Sequence, residues 1–158
     1  MRILIDGDGC PVVGLTIKIA KKYNIDVVVF CDTSHIFTKY DVETIVLEKG
    51  ADSVDFALVN RVFEDDIVVT QDYGLAAMVL AKKANAINQN GVIYTNENIN
   101  QLLFTRHISK KVRTSGGRVK GPKKRQLEDD IRFEKALICL IEKRWFQKIT
   151  FFYFLYII

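Results

Sequence analysis

Three short and wholly apolar runs constrain this chain more than anything else in it: Ile3-Leu4-Ile5, Val27-Val28-Val29-Phe30 and Ile67-Val68-Val69. Each has the length of a strand and is rich in β-branched residues. None alternates with polar residues, as expected of strands covered on both faces. Between them lie stretches of helical pattern. Val13, Ile17 and Ala20 fall on one face of a helix expected from Val12 to Tyr23 and ended by Asn24. Asp52 to Val62, Leu75 to Lys83, Asn98 to Val112 and Asp129 to Arg144 read as further helices. Glu43 to Leu47 reads as another strand, and Ala86-Ile87 and Val92 to Thr95 flank Asn90-Gly91, a hairpin-type turn. Strands and helices in alternation predict an α/β chain with a mostly parallel central sheet and helices on both faces.

The 158 residues suffice for one domain with a real core. Residues 1–112 form the expected α/β core, 113–126 a basic Gly-rich linker, 127–145 an amphipathic helix, and 146–158 an apolar aromatic tail. Phe133, Ala136, Leu137, Leu140 and Ile141 set the helix against the core. The tail is too short to span a bilayer, which takes about 20 residues. It is expected to pack on the domain or to be a poorly ordered tail without function, with a membrane-surface anchor or a dimer patch as alternatives. Three cysteines, Cys10, Cys31 and Cys139, without a CxxC pair argue against a disulfide framework or a structural zinc. No secretory leader precedes Ile3, so a reducing cytoplasm is the expected compartment.

A net charge of +4 decides little, but its distribution is uneven. From Arg106 to Arg125 there are nine Lys or Arg and no acid. Such a run is either a solvated linker or a collector of phosphates. Arg113, Arg118, Lys120 and Lys123 are the candidate nucleic-acid contacts.

Ligands of open parallel sheets sit beyond the carboxyl ends of the strands, and the acids of this chain gather there. Asp6 abuts the first strand, Asp8 lies two residues on, and Asp72 follows Val69-Thr70. Asp52 and Asp55, three apart, share a face at the start of a helix. Like charges brought together raise one another's pKa values and call for a cation. Oxygen ligands without His or Cys suit Mg²⁺ or Mn²⁺, whose usual chemistry in such a setting is phosphoryl transfer or phosphodiester hydrolysis. Three of these acids also have a structural explanation. Asp52 can cap its helix, Asp55 can favour the helix dipole, and Asp8 can hydrogen-bond its own loop. Asp6 is hardest to explain in this way, because a carboxylate against a buried strand must be paired or ligated. Cys10 reads as a small buried filler rather than a nucleophile. Thr33 and Ser34 are placed to line the same cleft, and His35 and His107 lie in polar surroundings.

The opening Ile3-Leu4-Ile5-Asp6-Gly7-Asp8-Gly9-Cys10-Pro11 resembles the signature of the YaiI/YqxD family of bacterial proteins, usually Asp-Ala-Asp-Ala-Cys-Pro. Gly50-Ala51-Asp52-Ser53-Val54-Asp55 and Thr70-Gln71-Asp72-Tyr73-Gly74-Leu75-Ala76 resemble its next two motifs. Asn90 to Thr95 with Asn98-Ile99, then Gly121-Pro122-Lys123 with Arg132-Phe133, resemble its hairpin and C-terminal segment. Gly7 and Gly9 replace the family's alanines, and the aromatic tail lies outside the pattern. The resemblance implies a PIN-like three-layer fold, a fold that groups metal-dependent nucleases acting mostly on RNA. It also implies Asp6, Asp8, Asp55 and Asp72 as metal ligands, with Asp6, Asp8 and Asp72 as the catalytic candidates.

Three functions compete. The first is a Mg²⁺- or Mn²⁺-dependent nuclease acting on RNA. The second is a haloacid-dehalogenase-type phosphatase using Asp6 and Asp8, for which no later lysine motif is found. The third is a non-catalytic nucleic-acid-binding or regulatory protein in which the acids are structural.

Overall fold

The computed structural model describes residues 1–33, 40–48, 53–116, 121 and 123–157, with side chains of the last helix described through Arg144 and at Phe146. Ser34, His35, Gly50, Asp52, Arg118, Lys120 and Pro122, named above, lie outside the described residues.

Among the described residues, six strands form one sheet: β1 (Ile3–Asp6), β2 (Val27–Asp32), β3 (Glu43–Leu47), β4 (Ile67–Val69), β5 (Asn85–Ile87) and β6 (Ile93–Tyr94). Their order is β3-β2-β1-β4-β5-β6. All pairings are parallel except the last, in which Ala86 faces Tyr94 and Ile87 faces Ile93. The chain thus builds outward from β1 on one side, crosses back, and builds outward from β4 on the other. The junction of β1 and β4 is the point where strand order reverses, and α/β sheets bind their ligands at that point.

Among the described residues, five helices cover the sheet: α1 (Val13–Lys22), α2 (Ser53–Arg61), α3 (Tyr73–Ala81), α4 (Asn96–Thr114) and α5 (Leu127–Ile157). Alternate strand residues divide the core into two layers. Ile3, Ile5, Val29, Ile67, Val69 and Ile87 pack with α1 and with Phe133, Leu137, Leu140 and Ile141 of α5. Leu4, Val28, Phe30, Val68, Ala86 and Tyr94 pack with α2, α3 and α4 on the other face. The fold is therefore a three-layer α/β arrangement.

Local chemistry explains the element ends. Asn24, at φ 53°, closes α1 in the left-handed region that Asn tolerates. Thr95 and Asn98 form a reciprocal capping box that starts α4, each side chain bonding the other's backbone N–H. The Asn88 carboxamide accepts the N–H groups of Asn90 and Val92 and so fixes the hairpin turn. Gly91 sits there at φ +80°, and a Cβ on it would meet the Arg132 carbonyl oxygen at 2.7 Å. The turn and α5 are thus in backbone contact, which only glycine permits.

Two boundaries differ from expectation. The helix α4 runs to Thr114, into the segment expected as linker, and α5 continues without a break to Ile157. Through Ile157, the expected tail is a continuation of the C-terminal helix rather than a separate segment.

Candidate functional site

Asp6 ends β1, and Thr70 directly follows β4 on the neighbouring strand. The Thr70 hydroxyl donates to Asp6 Oδ2 at 2.7 Å and accepts the backbone N–H of Asp72 at 3.0 Å. One buried hydroxyl therefore links both acids across the switch point. Tyr94 supports it from below by donating its hydroxyl to the Thr70 carbonyl at 3.3 Å. Gln71 ties the two loops over the junction, donating from Nε2 to the Gly9 carbonyl at 3.1 Å.

Burial pushes the Asp6 carboxyl up to about 6, against the pull of the Thr70 hydrogen bond. The charges of Asp55, Asp8 and Asp72 push it the same way, in that order of strength. The other three expected acids are thus near enough to act on Asp6. Among the described residues, however, no three His, Cys, Asp or Glu side chains form a group that could hold a metal ion. The acids share a rim without converging into a ready-made ligand cage.

Their other contacts show why. Asp8 accepts the N–H of Asp32 at 3.1 and 3.2 Å, which joins the β1 loop to the end of β2. Asp55 lies in the first turn of α2, where the helix dipole favours it. Asp72 caps α3, accepting from the N–H groups of Gly74 and Leu75 at 2.6 and 3.1 Å. Its second oxygen takes Arg106 Nη1 of α4 at 2.7 Å. Burial raises the Asp72 pKa, but Arg106 and the two backbone donors outweigh it and hold the carboxyl below its usual range. The Arg106 guanidinium also lies over the Tyr73 ring, 5.9 Å from its centre.

Thr70 and Arg106 are the site residues that the sequence reading did not assign. The signal for Thr70 was a hydroxyl residue at a strand end, two before an acid. Arg106 opens the basic run but gave no sign of reaching residue 72.

Of the other candidates, Cys10 packs against the core, and burial pushes its thiol up to about 11, which favours the protonated form at neutral pH. Thr33 and His107 are exposed, as are Arg113 and Lys123. Arg125, at the end of the basic run, pairs with Asp130 and reaches Asn90, holding the start of α5 to the hairpin turn.

Fold and rim together define a three-layer α/β protein with an acidic, hydroxyl-braced rim at its switch point. The profile of the family described as uncharacterized BCR, YaiI/YqxD, matches residues 4–143, and the chain belongs to that family. It is 52% identical over 144 residues to a UPF0178 protein of Exiguobacterium sibiricum, covering 91% of this chain and 99% of that protein. Similar proteins, also described as UPF0178, occur in Clostridium kluyveri, at 51% identity over 89% of this chain and 93% of that protein, and in Ruminiclostridium cellulolyticum, at 50% over 90% and 93%. No solved structure matches the chain. Among the described residues, no helix is long and apolar enough to cross a membrane.

Proposed function

We propose that this protein is a Mg²⁺- or Mn²⁺-dependent nuclease acting on RNA, with a PIN-like fold and its site on the rim of Asp6, Asp8, Asp55 and Asp72. The observation that carries the reading is Asp6. A part-buried carboxyl at a topological switch point, raised to about 6 and facing three further acids, is a group whose ionisation a bound cation would favour. The donor chemistry fits: all-oxygen ligands suit a hard divalent ion. Such an ion supplies Lewis acidity and makes water a usable nucleophile at neutral pH. Asp6 would hold it, joined by those of Asp8, Asp55 and Asp72 that give up their present partners. The Thr70 hydroxyl orients the Asp6 carboxylate, and the exposed Arg113 and Lys123 offer phosphate contacts.

The test is cleavage of a fluorescent oligoribonucleotide with Mn²⁺, with Mg²⁺ and with EDTA. Cleavage should require metal and be lost in Asp6→Asn. Metal-independent cleavage, or full activity in Asp6→Asn, would reject the reading.

A second reading is favoured by the contacts of Asp8 and Asp72. Both acids already serve the fold, one holding β2 and the other capping α3. That suits a non-catalytic nucleic-acid-binding or regulatory protein. It predicts RNA binding that survives both chelation and Asp6→Asn.

A further inference from the structure

The helix α4 changes character along its length without changing direction. Its first half buries Ile99 and packs Leu102 and Leu103 against the core beside α3. Arg106, Lys110 and Arg113 continue the same side, at spacings of four and three residues. The stripe that faces the protein in the first half therefore carries cations in the second. Arg106 confirms the direction by reaching Asp72 at 2.7 Å. Lys110 and Arg113 are exposed beyond it. The far side of the helix instead presents Phe104, Ile108 and Val112 to solvent. The exposed basic row thus lies on the side of the helix that makes the Asp72 contact. It leads along the helix to the acidic rim, with cations about one turn apart over roughly 10 Å.

We infer that Arg106, Lys110 and Arg113 form a track for the phosphates of a single-stranded nucleic acid, leading the strand to the rim, with Arg106 exchanging Asp72 for the phosphate nearest the site. This rests on the rim being the phosphodiester site proposed above, and it assigns the main phosphate contacts to α4 rather than to the linker. A regularly spaced polyanion suits a regularly spaced row of cations. Arg suits the position next to the acids because its planar fork can take phosphate in two hydrogen bonds. The exchange also frees the second oxygen of Asp72 when the strand arrives, so that substrate and cation are drawn to the rim together.

The test is binding of a fluorescent twelve-nucleotide oligoribonucleotide in EDTA, followed by anisotropy across a range of salt. Wild type is compared with R106Q/K110Q/R113Q, and with K18Q/K21Q/K22Q on α1 as a control of equal charge. Gln at exposed helical positions keeps the fold. The α4 variant should bind at least about tenfold more weakly, and its log K against log salt slope should flatten by about 2. The α1 control should keep the wild-type slope. Equal slopes in wild type and the α4 variant, equal flattening in both variants, or no salt-dependent binding by wild type would overturn the track. So would competition by polyglutamate as strong as that by RNA of equal charge. Mn²⁺ titration of the same proteins reports on the rim separately: binding of metal without a track, or a track without metal, tells the two proposals apart.

Discussion

The Thr70 hydroxyl stands 2.7 Å from Asp6 Oδ2 and is the one protein donor seen to reach that carboxylate among the described residues. It also accepts the Asp72 backbone N–H, so it fixes two acids and the start of α3 at once. Thr70→Val keeps the shape and deletes both bonds. It should cost about 1–3 kcal/mol in urea unfolding at pH 7, because Asp6 and the Asp72 N–H are left part-buried without a partner. Thr70→Ser should recover most of the loss.

Asp6 gives the metal-free protein a pH dependence of unusual sign for a carboxylate. Its folded pKa of about 6 lies above the ordinary 3.8, so the folded state holds the proton more tightly than the unfolded chain. That favours folding at low pH and is lost as pH rises from about 4 through 6, amounting to roughly 3 kcal/mol at most. Asp6→Asn should therefore be more stable than wild type above pH 6 and nearly equal to it at pH 4. Urea midpoints across that window, measured in EDTA, check the prediction. A wild type that gains stability relative to Asp6→Asn between pH 4 and 6 would contradict it.

The capping role of Asp72 can be separated from any role in binding. Asp72→Ala should lose about 1 kcal/mol or more by leaving the N–H groups of Gly74 and Leu75 unpaired, whereas Asp72→Asn should keep the cap. Thermal unfolding of the two variants distinguishes them.

At the hairpin, Gly91→Ala combines φ +80° with a clash against the Arg132 backbone. A destabilisation of about 1–3 kcal/mol is expected, with increased proteolysis near the start of α5. Asn90→Ala, which removes only the contact with Arg125, should cost less than 1 kcal/mol.

Much of the fold was legible because burial on two faces leaves a plain trace. The runs at Ile3, Val27 and Ile67 became the central strands, and Phe133, Leu137, Leu140 and Ile141 became the inner face of α5. The placing of Asp6 and Asp72 at the strand ends followed from the same pattern. What was hidden depends on partners distant in sequence or on weak propensity. Tyr73 and Gly74 are poor helix formers, so α3 was expected to start at Leu75, and the capping role of Asp72 went unseen. The Asp72–Arg106 pair joins residues far apart in the chain and leaves no local mark. The run from Phe151 to Ile157 looks unlike a helix surface. Yet it contains no Gly or Pro, and a helix already nucleated at Leu127 gains a hydrogen bond with each added residue.

The most direct test of the central claim is calorimetric titration of Mn²⁺ and Mg²⁺ into wild type and Asp6→Asn/Asp72→Asn, with circular dichroism to confirm folding. The account predicts saturable binding in wild type, release of a proton near pH 6 as Asp6 ionises, and loss of binding in the folded double variant. Absence of binding in wild type, or equal binding in both, would contradict it and leave the acids as parts of the scaffold.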